Sequence, residues 1–164
     1  MNEITSMNDF SHIDSKGKPV MVDVSAKKVS QRTATAECIV LLPLEVINKL
    51  LNGEIQTKKG AVFQTAVIAG IMAAKKTGEL IPLCHPLGLD SCNIDIKVTK
   101  SNEVLITCSA SIESKTGVEM EALVGASIAA LTVYDMCKAL SHDIIIKETK
   151  LIRKTGGKKD FERN

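Results

Sequence analysis

The chain has 164 residues, a net charge of +2 and 45% apolar residues, which suits one globular domain with a substantial core. Aromatic residues make up only 2% of the chain and tryptophan is absent, which argues against the aromatic base-stacking modules that bind nucleic acids. A net charge of +2 is too weak to imply a surface that binds nucleic acid or membrane lipid.

The cysteines and the short motifs exclude several cofactor classes. Four of the five cysteines lie in apolar strand-like or helix-like patterns and are expected to be reduced thiols: Cys38, Cys92, Cys108 and Cys137. CxxC, HExxH, Walker A and GxGxxG patterns are absent, so we expect no zinc site, iron–sulfur cluster or phosphate-binding P-loop. With no recognisable signal peptide or membrane-spanning run, we expect a cytoplasmic protein.

The first 18 residues are polar and are predicted to form a mobile arm. Alternating valines then predict a strand at Val20–Lys27, and alternating small residues predict a second strand at Arg32–Leu42. Pro43 is predicted to open a short helix that ends near Asn52-Gly53.

A long helix is predicted after Lys59-Gly60. Apolar residues recur at helical spacing as far as Ala74, and Gly78 is predicted to end the helix. The helix dipole opposes a cation at this place, so Lys59 needs an explanation. It is either a surface lysine beside Lys58 or part of an acid–base or phosphate site.

A stiff loop follows, in which Pro82 and Pro86 bracket Leu83, Cys84 and His85. Prolines restrict the backbone, so the histidine is held in one orientation, for either a structural hydrogen bond or a function. Neighbours in an extended segment point to opposite sides, which argues against a thiol–imidazole pair here.

Two strands are predicted at Cys92–Lys100 and Glu103–Ser114, joined as a hairpin at Ser101-Asn102. The last strand-like run is Asp143–Ile152, and a flexible tail is predicted from about residue 154. Its sequence from Lys154, KTGGK, resembles a phosphate-gripping loop in composition, although a solvated basic tail is the favoured interpretation.

The longest predicted helix spans Thr116–Ser141. Thr116 and Glu119 have the spacing of a capping box. From Ala122 to Tyr134 the residues are apolar or small on almost every face, which predicts a buried helix. The run is too short and too rich in glycine, serine and threonine to be read as a membrane span.

Asp135 and Lys138 interrupt this helix near its end and share a face. They form either a structural ion pair where the helix meets solvent or an acid–base pair at the edge of a partly dry pocket. Near the other end, Glu121 is the better functional candidate, because the capping box already explains Glu119. The two glutamates are about 200° apart on a helix and are not expected to face one pocket.

Glu121 and Asp135 lie fourteen positions apart, which is about 21 Å along a helix. If both serve one small-molecule site, that site must combine residues of different chains. This favours a symmetric oligomer with interfacial active sites.

The element order, β, β, α, α, β, β, α, β, predicts an α+β sandwich over residues 19–164, with helices packed on one face of an antiparallel sheet. Four segments are similar to those of the cyclic pyranopterin monophosphate synthase family (molybdenum cofactor biosynthesis protein C), across about Ser11 to Phe161: SHID…MVDVSAK, KGAVFQTAVIAGIMAAKKTGELIPLCHPL, KTGVEMEAL and LTVYDMCKA. The resemblance implies a ferredoxin-like fold and a homohexamer, a trimer of dimers with interfacial sites.

The resemblance also implies the reaction. A GTP derivative whose ribose is already bonded to the guanine ring becomes cyclic pyranopterin monophosphate, and diphosphate is released. The catalytic residues are expected to be Asp135, Lys59 and Lys138. Substrate contacts are expected at Leu83, Cys84, His85, Glu119, Met120, Glu121 and Lys154. No cofactor is expected to be required; diphosphate chemistry often recruits Mg²⁺, but no carboxylate cluster in the sequence dictates a site for it.

Three other functions compete with this interpretation. A regulatory nucleotide-binding oligomer would not need to maintain a buried Asp135–Lys138 pair. A GTP cyclohydrolase typically needs a metal, and the radical enzyme that makes the substrate needs a cysteine triplet; the sequence has neither set of ligands at convincing spacing.

Overall fold

A computed structural model describes residues 17–163, so the predicted mobile arm lies outside the described residues except for its last two positions. The strands are β1 (Ser30–Leu41), β2 (Leu50–Leu51), β3 (Glu54–Thr57), β4 (Gly60–Ala61), β5 (Ser91–Val98), β6 (Glu103–Ser114), β7 (Ile145–Thr155) and β8 (Phe161–Glu162). The helices are α1 (Leu44–Ile47), α2 (Val62–Ala74), α3 (Thr77–Leu80) and α4 (Glu119–Cys137).

The main sheet is antiparallel and has the strand order β5-β6-β1-β7-β8. It contains two split β-α-β units. In the first, β1, α2 and β5 enclose β6, and in the second, β6, α4 and β7 enclose β1. Two such units interleaved in one sheet are the ferredoxin-like arrangement, so the predicted α+β fold is confirmed.

The core lies between this sheet and the two long helices. Small residues on one face of β1, namely Ala34, Ala36 and Cys38, are buried and let the helices approach the strand closely. The helices also approach each other closely, because a Cβ atom on Gly70 of α2 would lie 2.7 Å from the carbonyl oxygen of Gly125 in α4.

Helix α4 is shorter than the sequence predicts and its start is different. Its N-cap is Val118, which makes no side-chain capping bond, so the predicted capping box is wrong. Glu119 instead pairs with Lys154, at 2.9 Å between Oε1 and Nζ. By length and a mean hydropathy of 1.3, α4 could cross a membrane, but half of its apolar window is buried within the described residues.

The alternating pattern at Val20–Lys27 does not form a strand. The segment is irregular, Val20 and Met21 are more than 40% exposed, and the chain turns where the Lys27 N–H donates to the Val24 carbonyl at 3.0 Å. The pattern fails because alternation stabilises a strand only when one of its faces is buried against other elements.

The predicted helix from Pro43 is only the single turn α1. Asn52 and Gly53, expected to end that helix, instead form the turn between β2 and β3. Their φ angles of 51° and 80° are the left-handed pair that a two-residue hairpin turn requires.

Other boundaries also differ from the predictions; β5, for example, is Ser91–Val98 rather than Cys92–Lys100. Helix α2 ends at Ala74 rather than at Gly78, which lies inside α3. Instead of a flexible tail from about residue 154, β7 continues to Thr155 and β8 pairs with it. Gly156 makes the turn after β7 at a φ of 83°, where a side chain would overlap the carbonyl oxygen of Gln31.

Candidate active site

A carboxylate held between two lysines lies at the C-terminal end of α4. The Lys59 Nζ donates to Asp135 Oδ2 at 2.7 Å and to the Asp135 carbonyl oxygen at 3.1 Å. The Lys138 Nζ lies 2.8 Å from Asp135 Oδ1. The three residues predicted to be catalytic are therefore brought together within one chain.

Both lysines affect the titration of this cluster. Hydrogen bonds from Lys138 and Lys59 lower the pKa of Asp135 to about 2, and the bond to Asp135 raises the pKa of Lys138. The side chains of Asp135 and Lys138 are 54% and 48% exposed in the single chain. The expectation of a buried pair is therefore wrong for the chain by itself.

A short hairpin explains why Lys59 stands where the helix dipole opposes it. Lys59 lies in the turn between β3 and β4, where Thr57 faces Gly60. The Lys59 N–H donates to Thr57 Oγ1 at 3.1 Å, which orders the turn. The turn sends the lysine side chain toward the carboxylate of Asp135, so its charge is compensated from α4 rather than from α2.

A small cavity of about 140 Å³ lies at the opposite end of α4. Among its lining residues are six of the predicted substrate contacts: Leu83, Cys84, His85, Glu119, Met120 and Glu121. Two geometric expectations are wrong here. Cys84 and His85 line one cavity because the chain turns, with the Cys84 N–H donating to the Ile81 carbonyl at 3.0 Å. Glu119 and Glu121 also line this cavity together, because the cavity lies at the first turn of α4.

Glu121 is the buried carboxyl group of this cavity, only 3% exposed. Burial raises its pKa, and the charge of nearby Glu119 adds to the effect. Burial and the charge of Glu121 likewise raise the pKa of the Cys84 thiol, so the reactive thiolate form is disfavoured. Burial thus favours the protonated form of Glu121 more than it would for an exposed glutamate.

A larger cavity of about 410 Å³ adjoins the small one and shares Thr116, Gly117 and Glu119 with it. Glu119 is its one carboxylate, against six cations: Lys27, Arg32, Lys115, Lys154, Lys158 and Lys159. Such an excess of positive charge suits a polyanionic ligand.

Lys154 was predicted from the sequence, but Arg32, Lys27 and Lys115 were not. They come from the start of β1, the loop before it and the loop before α4. No local pattern joins these places, because strand pairing brings them together over more than eighty residues. The Arg32 Nε, for example, donates to the Ser114 carbonyl at 3.3 Å.

The Lys–Asp–Lys cluster and the cavities lie at opposite ends of α4. Glu121 and Asp135 lie fourteen positions apart within that unbroken helix, a distance of about 21 Å. One chain therefore carries these two groups of candidate residues at separate places. No group of three or more His, Cys, Asp or Glu side chains suited to a metal ion occurs within residues 17–163.

The fold and these two groups of residues are those of an α+β enzyme with a lysine-bound carboxylate at one end of α4 and a basic cavity at the other. A family model described as the MoaC family matches residues 21–157, and the chain belongs to that family.

Named relatives agree with this assignment. The chain is 51% identical, over 96% of its length and 95% of the relative's, to "Cyclic pyranopterin monophosphate synthase" of Xanthomonas campestris pv. campestris (strain B100). It is 52% identical over 92% of its length to "Molybdenum cofactor biosynthesis bifunctional protein" of Synechocystis sp. and 51% identical over 92% to "Molybdenum cofactor biosynthesis protein 1" of Dictyostelium discoideum. It spans only 45% and 27% of those two longer proteins.

Proposed function

We propose that this chain is a lyase of molybdenum cofactor biosynthesis. It converts 3',8-cyclo-7,8-dihydroguanosine 5'-triphosphate to cyclic pyranopterin monophosphate and releases diphosphate. The observation that carries the proposal is the Asp135 carboxylate held by Lys59 and Lys138 at 2.7 and 2.8 Å, in a chain whose relatives include proteins named for this synthase.

The reaction needs both proton transfers and phosphate chemistry. The purine-derived ring opens and closes again as a pterin, which requires several proton transfers. In forming the cyclic phosphate, a substrate hydroxyl oxygen bonds to the phosphorus nearest the ribose while that phosphorus loses its bond to the bridging oxygen. Diphosphate leaves with the electron pair, and the hydroxyl proton passes to a base. Such a step depends on positioning and positive charge rather than on a protein nucleophile.

The geometry supports a division of labour in the cluster. Asp135 is ionised near neutral pH, because its pKa lies near 2. The raised pKa of Lys138 keeps that lysine protonated, which suits a fixed cation that neutralises charge developing on phosphate. Asp135 then orients both ammonium groups toward one place. The basic cavity around Lys154 would hold the triphosphate, with Glu121 and His85 beside the ring.

We further propose that each working site joins two chains. The Lys–Asp–Lys cluster is one half-site and the two cavities are the other. Within one chain the two half-sites are too far apart for a small substrate to contact both. Two α4 helices crossing antiparallel about a two-fold axis would bring the C-terminal end of one helix to the N-terminal end of the other. The half-sites would then meet twice in each pair of chains.

The exposed helix surfaces support this pairing. Val124, Ile128 and Leu131 follow one another along α4 between the two half-sites, and Leu131 is 52% exposed. On α2, Ile68 and Met72 are 60% and 56% exposed. Apolar helix surfaces of this kind are typical of contacts between subunits. We propose a homohexamer, a trimer of such dimers, on the resemblance to the family.

We propose a cytoplasmic location, which the five free cysteines support, since thiols stay reduced in that compartment. We also propose that catalysis needs no resident cofactor. Mg²⁺ would enter with the triphosphate as part of the substrate.

Incubation of the purified protein with the cyclised GTP intermediate tests the function. We expect diphosphate and the pterin product to appear together in equal amounts. Binding of the intermediate without release of diphosphate would instead identify a regulatory nucleotide-binding oligomer. Unmodified GTP serves as the control, because a cyclohydrolase would act on it.

A further inference from the structure

We propose that Glu54 is a positioning residue for the reaction, and this inference rests on the proposed function. Glu54 makes no hydrogen bond or ion pair with Lys59 or Asp135. It closes the N-terminus of α2 from outside that helix and thereby holds the hairpin that presents Lys59 to Asp135.

Helix α2 begins without a cap of its own. Its N-cap position is Ala61, whose methyl group accepts no hydrogen bond, so the first amides of the helix need an acceptor from elsewhere. Glu54 supplies it from β3. Its Oε1 accepts from the Phe63 N–H at 2.9 Å, and its Oε2 accepts from the Gln64 N–H at 3.1 Å.

These two amides are the ones that an N-cap side chain ordinarily satisfies. The same Oε1 also accepts from the N–H of Ile55 at 2.7 Å, so one carboxylate serves three backbone donors. Its negative charge lies at the positive end of the α2 dipole. Glu54 therefore caps α2 as a serine or aspartate at position 61 would, but it does so from β3.

The position of Glu54 on that strand connects the cap to the site. Glu54 opens β3, and the hairpin of β3 and β4 carries Lys59 in its turn. One end of the hairpin is thus tied to α2 through Glu54, and the other end reaches α4 through Lys59 and Asp135. Releasing the first tie frees β3 to move and loosens the second.

A helix cap that matters only for stability is the competing explanation, and two variants separate it from positioning. Glu54→Gln keeps the shape of the side chain but removes the charge and one acceptor oxygen. Adding Ala61→Asp to Glu54→Gln gives α2 an ordinary N-cap, yet does not tie β3 to the helix. Glu45→Gln, an exposed acidic position on α1, is the matched control.

The first measurement needs no substrate, so it remains valid if the proposed function fails. The rate of acetylation of Lys59, followed by peptide mass spectrometry, reports how firmly Asp135 holds its amine. We expect this rate to rise severalfold in Glu54→Gln and in the double variant, while Lys97, which pairs with Asp95, stays unchanged as an internal reference. An unchanged rate at Lys59 would overturn the proposal.

The second measurement compares turnover with thermal stability. We expect kcat of Glu54→Gln to fall about tenfold with little change in KM, since misplacing a catalytic group by a fraction of an ångström acts on the chemical step. In the double variant we expect Tm to recover and kcat to stay low. Recovery of kcat together with Tm would show that Glu54 is a helix cap and nothing more.

Discussion

Asp135 joins two different parts of the chain, since one lysine comes from its own helix and the other from a distant hairpin. We expect Asp135→Asn and Lys138→Ala each to lower turnover at least about 100-fold, the usual scale for a positioned acid–base group. Diphosphate release measures this loss, and size-exclusion chromatography should show an unchanged oligomer. Lys97→Ala breaks a surface pair of equal length on β5 and should leave turnover intact. Near-normal turnover of either site variant would remove it from the catalytic set.

The pH dependence of this cluster has a definite sign. The folded pKa of Asp135 is about 2, below the ordinary value of 3.8. Its ion pairs therefore stabilise the fold above about pH 4, and the contribution disappears as the pH falls toward 2. We expect the Tm difference between the wild type and Asp135→Asn to be constant from neutral pH down to about pH 5 and to shrink below pH 4. A difference that instead grows with acidity would contradict the depressed pKa.

Lys154 tests the basic cavity. Its ammonium pairs with Glu119 at 2.9 Å and is 35% exposed, so it can also contact a bound phosphate. We expect Lys154→Ala to weaken the binding of inorganic diphosphate roughly tenfold in titration calorimetry, the scale of one charge-assisted hydrogen bond. Glu119→Gln should act in the opposite direction, because it removes the one carboxylate of the cavity. Equal affinities for all three proteins would place the phosphates elsewhere.

At the scale of elements, the crossing of α2 and α4 depends on the absence of a side chain at Gly70. A methyl group there would meet the Gly125 carbonyl at 2.7 Å and the Ala129 Cβ at 3.1 Å. Because backbone cannot move aside easily, we expect Gly70→Ala to lower the free energy of unfolding by about 1–3 kcal/mol. Urea denaturation measures it. Gln64→Ala, an exposed change on the same helix, should stay within about 0.5 kcal/mol of wild type.

The strands that pair on both sides could be predicted closely, because burial of one face enforces an alternating pattern. β6 begins and ends as predicted, and β1 differs by two residues at its start and one at its end. Val20–Lys27 carries a similar alternation but forms no strand. The ends of the helices were harder to predict. Thr116 and Gly78 have the residue types of helix caps, but α4 begins at Glu119 and α2 ends at Ala74.

The site could be predicted only in part. The motifs and residue types singled out Asp135, Lys138 and Lys59, and the structure brings these three together. Arg32 and Glu54 were not found from the sequence. Their roles arise from contacts between residues far apart or in different elements, to the Ser114 carbonyl and to the first amides of α2. Hydrogen bonds of this kind leave no periodic trace in a sequence.

At the scale of the whole molecule, the two half-sites predict complementation between inactive chains. Glu121→Ala and Asp135→Ala should each be inactive alone. When the two variants are unfolded together and refolded at equal amounts, about a quarter of the sites should receive both intact residues from different chains. Diphosphate release from the mixture measures the recovery, and native mass spectrometry confirms that the chains have mixed. Mixed oligomers without activity would mean that the site lies within a single chain or that Glu121 is not part of it.

The separation of Glu121 from Asp135 along one helix also has a consequence for how a mutant gene copy affects activity. In the proposed arrangement, in which each site joins two chains, a chain with substitutions at both positions would inactivate every site to which it contributes in a mixed oligomer. In a cell that makes such chains and normal chains equally, about a quarter of the sites remain intact, rather than the half that survives when one gene copy is silent. The proposed arrangement therefore predicts that such a missense allele lowers activity more than deletion of one gene copy does.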